Sequence, residues 1–165
     1  MLRDLIVGPH QISFDITNKC NLRCLHCYNS SGENLASQNE LTDQEVLDFI
    51  DEFKSIKLLN FCFCGGEPLL RKELIVEAAK RLRTYGCENV AMVSNGILMT
   101  DEVIEELINA GVTRIQISLD GIKAESHDRI RNKKGVYEKA TRAIEALVKH
   151  GVDTAVAFTP TSFNI

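Results

Sequence analysis

The sequence has no uninterrupted apolar run approaching the roughly 20 residues needed to cross a bilayer. Nor is a secretory leader expected, because Met1 to His10 carries Arg3 and Asp4 and only a short apolar stretch. It has no low-complexity tract, no linker-like segment, and nothing in its composition that points to disorder. It also lacks any block of one charge sign: at a formal net charge of −4, its Lys and Arg are interspersed with acids along helical stretches, which argues against a nucleic-acid footprint. The expectation is a cytoplasmic protein with neither a membrane nor a nucleic acid as partner.

What is present suffices for one core. At 165 residues and 44% hydrophobic composition the chain can bury a real interior, and residues 1–165 read as a single globular domain or a large piece of one, its N-terminal portion. Thr42 and Glu45 form a Thr-x-x-Glu capping box, and Val46, Phe49, Ile50, Phe53 and Ile56 recur at helical spacing, which predicts a helix from about Thr42 to Lys57. Three further apolar stripes run up to Gly86, Gly111 and Gly151, residues suited to a left-handed C-terminal cap. Between them lie strand-like runs at Ile12 to Ile16, Leu58 to Cys64, Asn89 to Val93, Thr113 to Leu119 and Thr154 to Phe158. Strands alternating with helices imply right-handed crossovers and a parallel sheet, although periodicity does not separate a barrel from an open doubly wound sheet. Only Thr159 to Ile165 follow the last strand, so the pattern stops in mid-unit.

The unusual residues gather at the carboxyl ends of these strands. A cysteine triplet follows strand one, Gly65-Gly66-Glu67-Pro68 follows strand two, Ser94-Asn95-Gly96 strand three, and Ser118-Leu119-Asp120-Gly121 strand four. In parallel β/α architectures ligands bind at that edge. Six cysteines in a cytosolic chain point to metal or redox chemistry rather than a disulfide framework. Cys20, Cys24 and Cys27, read alone, fit an iron–sulfur cluster with one iron open, a zinc site in need of a fourth ligand, or unrelated buried thiols. Cys62, Cys64 and Cys87 read as buried, inert thiols, and Tyr28 as a packing aromatic. His127 and Asp128 fall in an expected loop, with a catalytic or a packing role open.

The stretch Thr17-Asn18-Lys19-Cys20-Asn21-Leu22-Arg23-Cys24-Leu25-His26-Cys27-Tyr28 resembles the signature of the radical S-adenosylmethionine (SAM) superfamily, and Cys64-Gly65-Gly66-Glu67-Pro68 resembles its second motif. The resemblance runs from about Ile12 onward. It implies an α/β fold, a partial parallel (β/α) barrel truncated after about strand five. It implies a [4Fe–4S] cluster on Cys20, Cys24 and Cys27, with SAM on the fourth iron. Gly65, Gly66 and Glu67 would then receive the SAM amino group, with Pro68 completing the motif. His26 would lie beside the adenine, Ser118 near the ribose and methionyl part, and Arg131 on the carboxylate; Ser94 and Asn95 match a strand end that often contacts SAM. The implied activity is reductive cleavage of SAM to a 5′-deoxyadenosyl radical for hydrogen abstraction, fed by a reductant such as flavodoxin or ferredoxin. Asn21-Leu22-Arg23 with His26 and Tyr28 resembles the branch of peptide- and protein-modifying enzymes, sulfatase maturases and haem-pathway enzymes, so the substrate would be a peptide, a protein or a small molecule. The alternative is a zinc- or iron–sulfur-binding interaction module without turnover.

Overall fold

The computed structural model describes residues 8–32 and 39–165. Five strands form one parallel sheet in the order β1 (Gln11–Thr17), β2 (Asn60–Gly65), β3 (Asn89–Ser94), β4 (Arg114–Ser118) and β5 (Asp153–Ala157). This consecutive order resolves the choice that periodicity left open. A doubly wound sheet reverses its strand order so that helices cover both faces, whereas an order that never reverses, with right-handed crossovers, keeps every helix on one side. The result is a partial (β/α) barrel, with a helix-covered outer face and an open inner face.

The α-helices are α1 (Asp43–Asp51), α2 (Lys72–Thr84), α3 (Asp101–Ala110), α4 (Ala124–Arg131) and α5 (Val136–Lys149), with short 3-10 turns at Glu52–Ser55 and Pro68–Arg71. The outer face carries Phe61, Phe63, Val90, Met92, Ile115 and Ile117, all fully buried, against Val46, Ile50, Ile75, Leu82, Ile104, Leu107 and Leu147 from the helices. Alternate residues on the same strands, such as Cys62, Cys64, Val93, Gln116 and Ser118, face the other way and stay partly exposed, as the two-residue period of a strand requires. Among the described residues no helix is long and apolar enough to cross a membrane.

Two expectations need correction. The first helix does not continue to Lys57: it ends at Asp51, and Glu52–Ser55 tighten into a 3-10 turn. That tightening turns the chain toward β2, whose approach is pinned where Leu59 and Asn60 donate to the His10 carbonyl. The capping box itself is present, with Thr42 N donating to Glu45 Oε2 at 2.8 Å and Glu45 N to Thr42 Oγ1 at 3.3 Å. The second correction is α4, which occupies the expected loop. Its buried face is only His127 and Ile130, and Asn132 in the left-handed region ends it. Asp128 has a structural role here, since its carboxylate accepts from Gly135 N at 2.6 Å and Tyr137 N at 2.9 Å, across the start of α5.

Candidate functional site

The loop after β1 is held by its own backbone. Arg23 Nη1 donates to the carbonyls of Cys20 (2.9 Å) and Leu22 (2.7 Å), Leu22 is buried, and Leu25 N donates to Ile130 O at 2.8 Å, tying the loop to α4. The end of β2 locks against the same loop: Gly66 N donates to Thr17 O at 2.7 Å and Glu67 N to Lys19 O at 2.8 Å. Both glycines are demanded by this approach. Gly65 sits at φ +127°, and a Cβ there would lie 2.3 Å from Thr17 O; one at Gly66 would lie 2.2 Å from Lys19 O.

Behind this joint opens a cavity of about 400 Å³, within the range of small-molecule sites. Of the residues singled out from sequence, it brings together Cys20, Cys24, Cys27, His26, Gly65, Gly66, Ser94, Asn95, Ser118 and Arg131. Glu67 and Pro68 do not line it. The Glu67 carboxylate is fully buried and occupied within the protein, accepting from Ser94 Oγ (2.9 Å), Asn95 N (2.9 Å) and Leu69 N (3.3 Å). Burial pushes its pKa up, against the pull of those donors. Pro68 opens a 3-10 turn, Pro68–Arg71, for which the Glu67 side chain is the cap. Asn95 is likewise engaged: its Nδ2 donates to Asn21 Oδ1 at 2.7 Å and its Oδ1 accepts from Ile97 N at 3.0 Å.

Asp120 organises the far wall, and sequence reasoning assigned it no role. It has no solvent exposure, its Oδ1 accepts from Thr159 N at 2.9 Å, and its Oδ2 lies 2.5 Å from Arg131 Nη2 and 3.4 Å from His26 Nε2. The contacts to Oδ2 are ionic rather than aligned hydrogen bonds, because Oδ2 has no partner of hydrogen-bond geometry. His127, buried beneath, accepts from Asp120 N through Nδ1 at 3.0 Å. Burial lowers the pKa of His26 and of His127, so both rings are held toward neutrality. A carboxylate two residues past a strand carries no spacing signal that would have marked it.

Arg131 reaches from Asp120 to the thiols, with Nη1 3.7 Å from Cys24 Sγ. Burial raises the pKa of Cys20 and Cys24, and the guanidinium opposes that rise at Cys24. Ser31 N donates to Cys27 Sγ at 3.4 Å. Besides Asp120 Oδ2, His26 Nδ1 and Arg131 Nε are buried without a hydrogen-bond partner among the described residues. Among the described residues no three His, Cys, Asp or Glu side chains converge closely enough to hold one metal ion. The thiols instead share a cavity, an arrangement that suits a cluster with one thiolate per iron and not a tetrahedral zinc ion. Tyr28 is 87% exposed at the cavity mouth, not packed. Cys87 is buried, with its thiol directed at the carbonyls of Leu59 and Asn89.

Comparison with known proteins bears on this geometry. The sequence model of the Radical SAM superfamily matches residues 14–163. An AdoMet-dependent heme synthase of Methanosarcina barkeri is 39% identical over 145 residues, covering 86% of this chain and 40% of that protein. Mycofactocin maturase MftC of Mycolicibacterium smegmatis is 34% identical over 161 residues, covering 96% of this chain and 39% of that protein. The chain therefore spans about two fifths of the length of these relatives. Among solved structures, native anSMEcpe with bound AdoMet superposes with a TM-score of 0.72 at 21% identity, over 88% of this chain and 43% of that one, a likeness of fold.

Proposed function

Because the chain belongs to the radical SAM superfamily, we propose that it is the part of a radical SAM enzyme that holds a [4Fe–4S] cluster on Cys20, Cys24 and Cys27 and SAM in the adjoining cavity. Bound together, these groups supply reductive cleavage of SAM and, from it, a 5′-deoxyadenosyl radical for hydrogen abstraction. The observation that carries the reading is the three thiols of one loop opening, with the Arg131 guanidinium, onto a single cavity of about 400 Å³.

The chain's own residues bind, orient and exclude water. Arg131, held by Asp120, offers its unpartnered Nε to a carboxylate and its Nη1 to the sulfur of Cys24. Neutral His26 offers an unpartnered Nδ1 on the wall assigned to the adenine. Gly65 and Gly66 bring main chain, not side chain, to the ligand, and Ser118 stands on the wall assigned to the ribose. Ser94, Asn95 and Glu67 hold the shape of that wall through their mutual hydrogen bonds, so we assign Glu67 a supporting role behind the SAM amino group. An exposed face beside Leu25 carries Arg129, Lys133 and Lys134 alongside Glu125 and Asp128, and we assign to it the one-electron donor, such as flavodoxin or ferredoxin. The substrate we assign is a peptide, a protein or a small molecule; the relatives are named for heme synthesis and for mycofactocin maturation.

Anaerobic reconstitution with iron and sulfide, followed by reduction with dithionite in the presence of SAM, tests the reading. The expected result is about four irons per chain and release of 5′-deoxyadenosine. A protein that takes up one zinc and no sulfide would be the interaction module instead.

A further inference from the structure

The chain beyond β5 comes back to the site. Leu119 N donates to Ala157 O at 2.9 Å as β4 and β5 part, and the residue before a proline is biased to extended backbone, so Thr159-Pro160 runs on toward Asp120. There Thr159 N donates to Asp120 Oδ1 at 2.9 Å. The chain then folds into a tight turn, Thr161–Asn164, in which Asn164 N donates to Thr161 O at 3.1 Å and Phe163 N to Thr161 Oγ1 at 3.2 Å.

Every polar position of the Asn164 side chain is taken. Oδ1 accepts from Thr161 N (2.7 Å) and Thr161 Oγ1 (3.0 Å), and Nδ2 donates to Asp120 O (2.9 Å) and to Thr159 O (2.9 Å). The two carbonyls demand the donor end of the amide, which fixes its orientation. A carboxylate of the same shape would set an acceptor against both. Asp120 is thereby held at its carbonyl by Asn164, at its N–H by His127 Nδ1 (3.0 Å) and at Oδ1 by Thr159. Only Oδ2 is left, and it faces Arg131 Nη2 and His26 Nε2, the two residues whose remaining buried nitrogens lack partners. Arg129, on α4 with Arg131, lies 5.3 Å from the centre of the Phe163 ring and ties the turn to that helix a second time.

We propose that Asn164 is a positioning residue of the SAM site: it clasps Thr159 to Asp120, sets the direction of Asp120 Oδ2, and through it places Arg131 and His26. The proposal rests on the reading that the cavity takes SAM. Thr159 lines that cavity and Asn164 does not, so its action is indirect. The clasp contributes order that exists before the ligand arrives, and a guanidinium already aimed loses less side-chain freedom on binding.

Isothermal titration of SAM into the reconstituted full chain tests this, with Asn164→Asp, Asn164→Ala, Asp120→Asn and the Asp120→Asn/Asn164→Ala double variant. Both Asn164 variants should keep their iron and bind SAM roughly 3- to 10-fold more weakly. The alanine variant controls for the charge that the aspartate variant adds near Arg131. Asp120→Asn already cuts the link to Arg131, so Asn164→Ala in that background should cost less than about a further 2-fold. In the iron-free protein the Thr159 amide should exchange slowly with deuterium, and fast once Asn164→Ala is made, a readout that uses neither cluster nor SAM. Unchanged SAM affinity in both single variants, additive losses in the double variant, iron lost together with SAM, or a Thr159 amide unprotected from the outset would overturn the proposal. Wild-type protein that holds its iron and takes up no SAM would overturn the reading beneath it, a failure visible before any variant is compared.

Discussion

The two faces of the sheet are made from the same strands and carry different burdens. On β2, Phe61 and Phe63 enter the core with no exposure, while Cys62 and Cys64 between and beyond them border cavities. On β4, Ile115 and Ile117 are buried and Gln116 and Ser118 are not. A period of two thus places most of the stability on the outer face and the chemistry on the inner face and its rim. The separation teaches that the site can change without unfolding the protein, and the core can weaken without touching the site.

The hardest blow to the inner side is loss of the thiols. Cys20→Ala, Cys24→Ala and Cys27→Ala should each abolish iron binding after reconstitution while leaving the circular dichroism of the iron-free protein unchanged. Cys87→Ala should keep its iron, and iron loss there would undo the assignment of ligands. On the outer face, Phe61→Ala should destabilise by about 3–5 kcal/mol, a drop in Tm on the order of 10 °C. Gln116→Ala, on the adjacent inner face, should stay within about 0.5 kcal/mol. Equal losses at the two positions in a urea titration would erase the distinction between the faces.

Arg131→Ala should leave iron content intact and weaken SAM binding roughly 10- to 100-fold, the loss of a charge-assisted hydrogen bond of about 1.5–3 kcal/mol. Asp120→Asn should weaken it in the same direction but less, because Asp120 only holds Arg131 in place; isothermal titration distinguishes the two, and unchanged affinity in both would remove the wall from the site. The smallest effect is on pH. His127 is held neutral by burial, so its folded pKa lies below an unfolded value near 6.5. As pH falls below about 6.5 the unfolded chain binds more protons, and stability declines. His127→Gln should flatten that decline without abolishing it, since His26 shares the direction. An unchanged slope in denaturant midpoints between pH 7 and 5 would show that the ring is not a buried, neutral one.

Much of this was legible in the sequence, for identifiable reasons. Strands one to five and the glycine-terminated helices announce themselves because one face of each is apolar at a fixed period. Gly65-Gly66 is legible because the local backbone demands glycine there, and the cysteine spacing because it matches a family signature. What escaped was set by contacts distant in sequence or by weak patterning. Helix α4 reads Ala-Glu-Ser-His-Asp-Arg-Ile-Arg and buries two side chains, too few to make a stripe. The Glu52–Ser55 turn keeps Phe53 and Ile56 in helical phase, so its tightening leaves no trace in the pattern. Glu67 sits in a motif that marks it for a ligand, but only its packing against Ser94 and Asn95 reveals which way the carboxylate points. Asp120 matters through partners on the first loop and on α4, and no single stretch of sequence holds all three.

The contact between Arg131 and Cys24 joins residues 107 apart in the chain. On a ribosome adding roughly 5–20 residues per second, the thiol loop emerges about 5–20 s before the arginine that closes over it. During that interval β1 to β4 can pair in the order they appear, since each strand adds beside the one made just before. The nascent chain thus presents its three thiols on a rim still missing one wall. Once α4 docks through Leu25 and Ile130, that window closes, and order of synthesis becomes order of assembly.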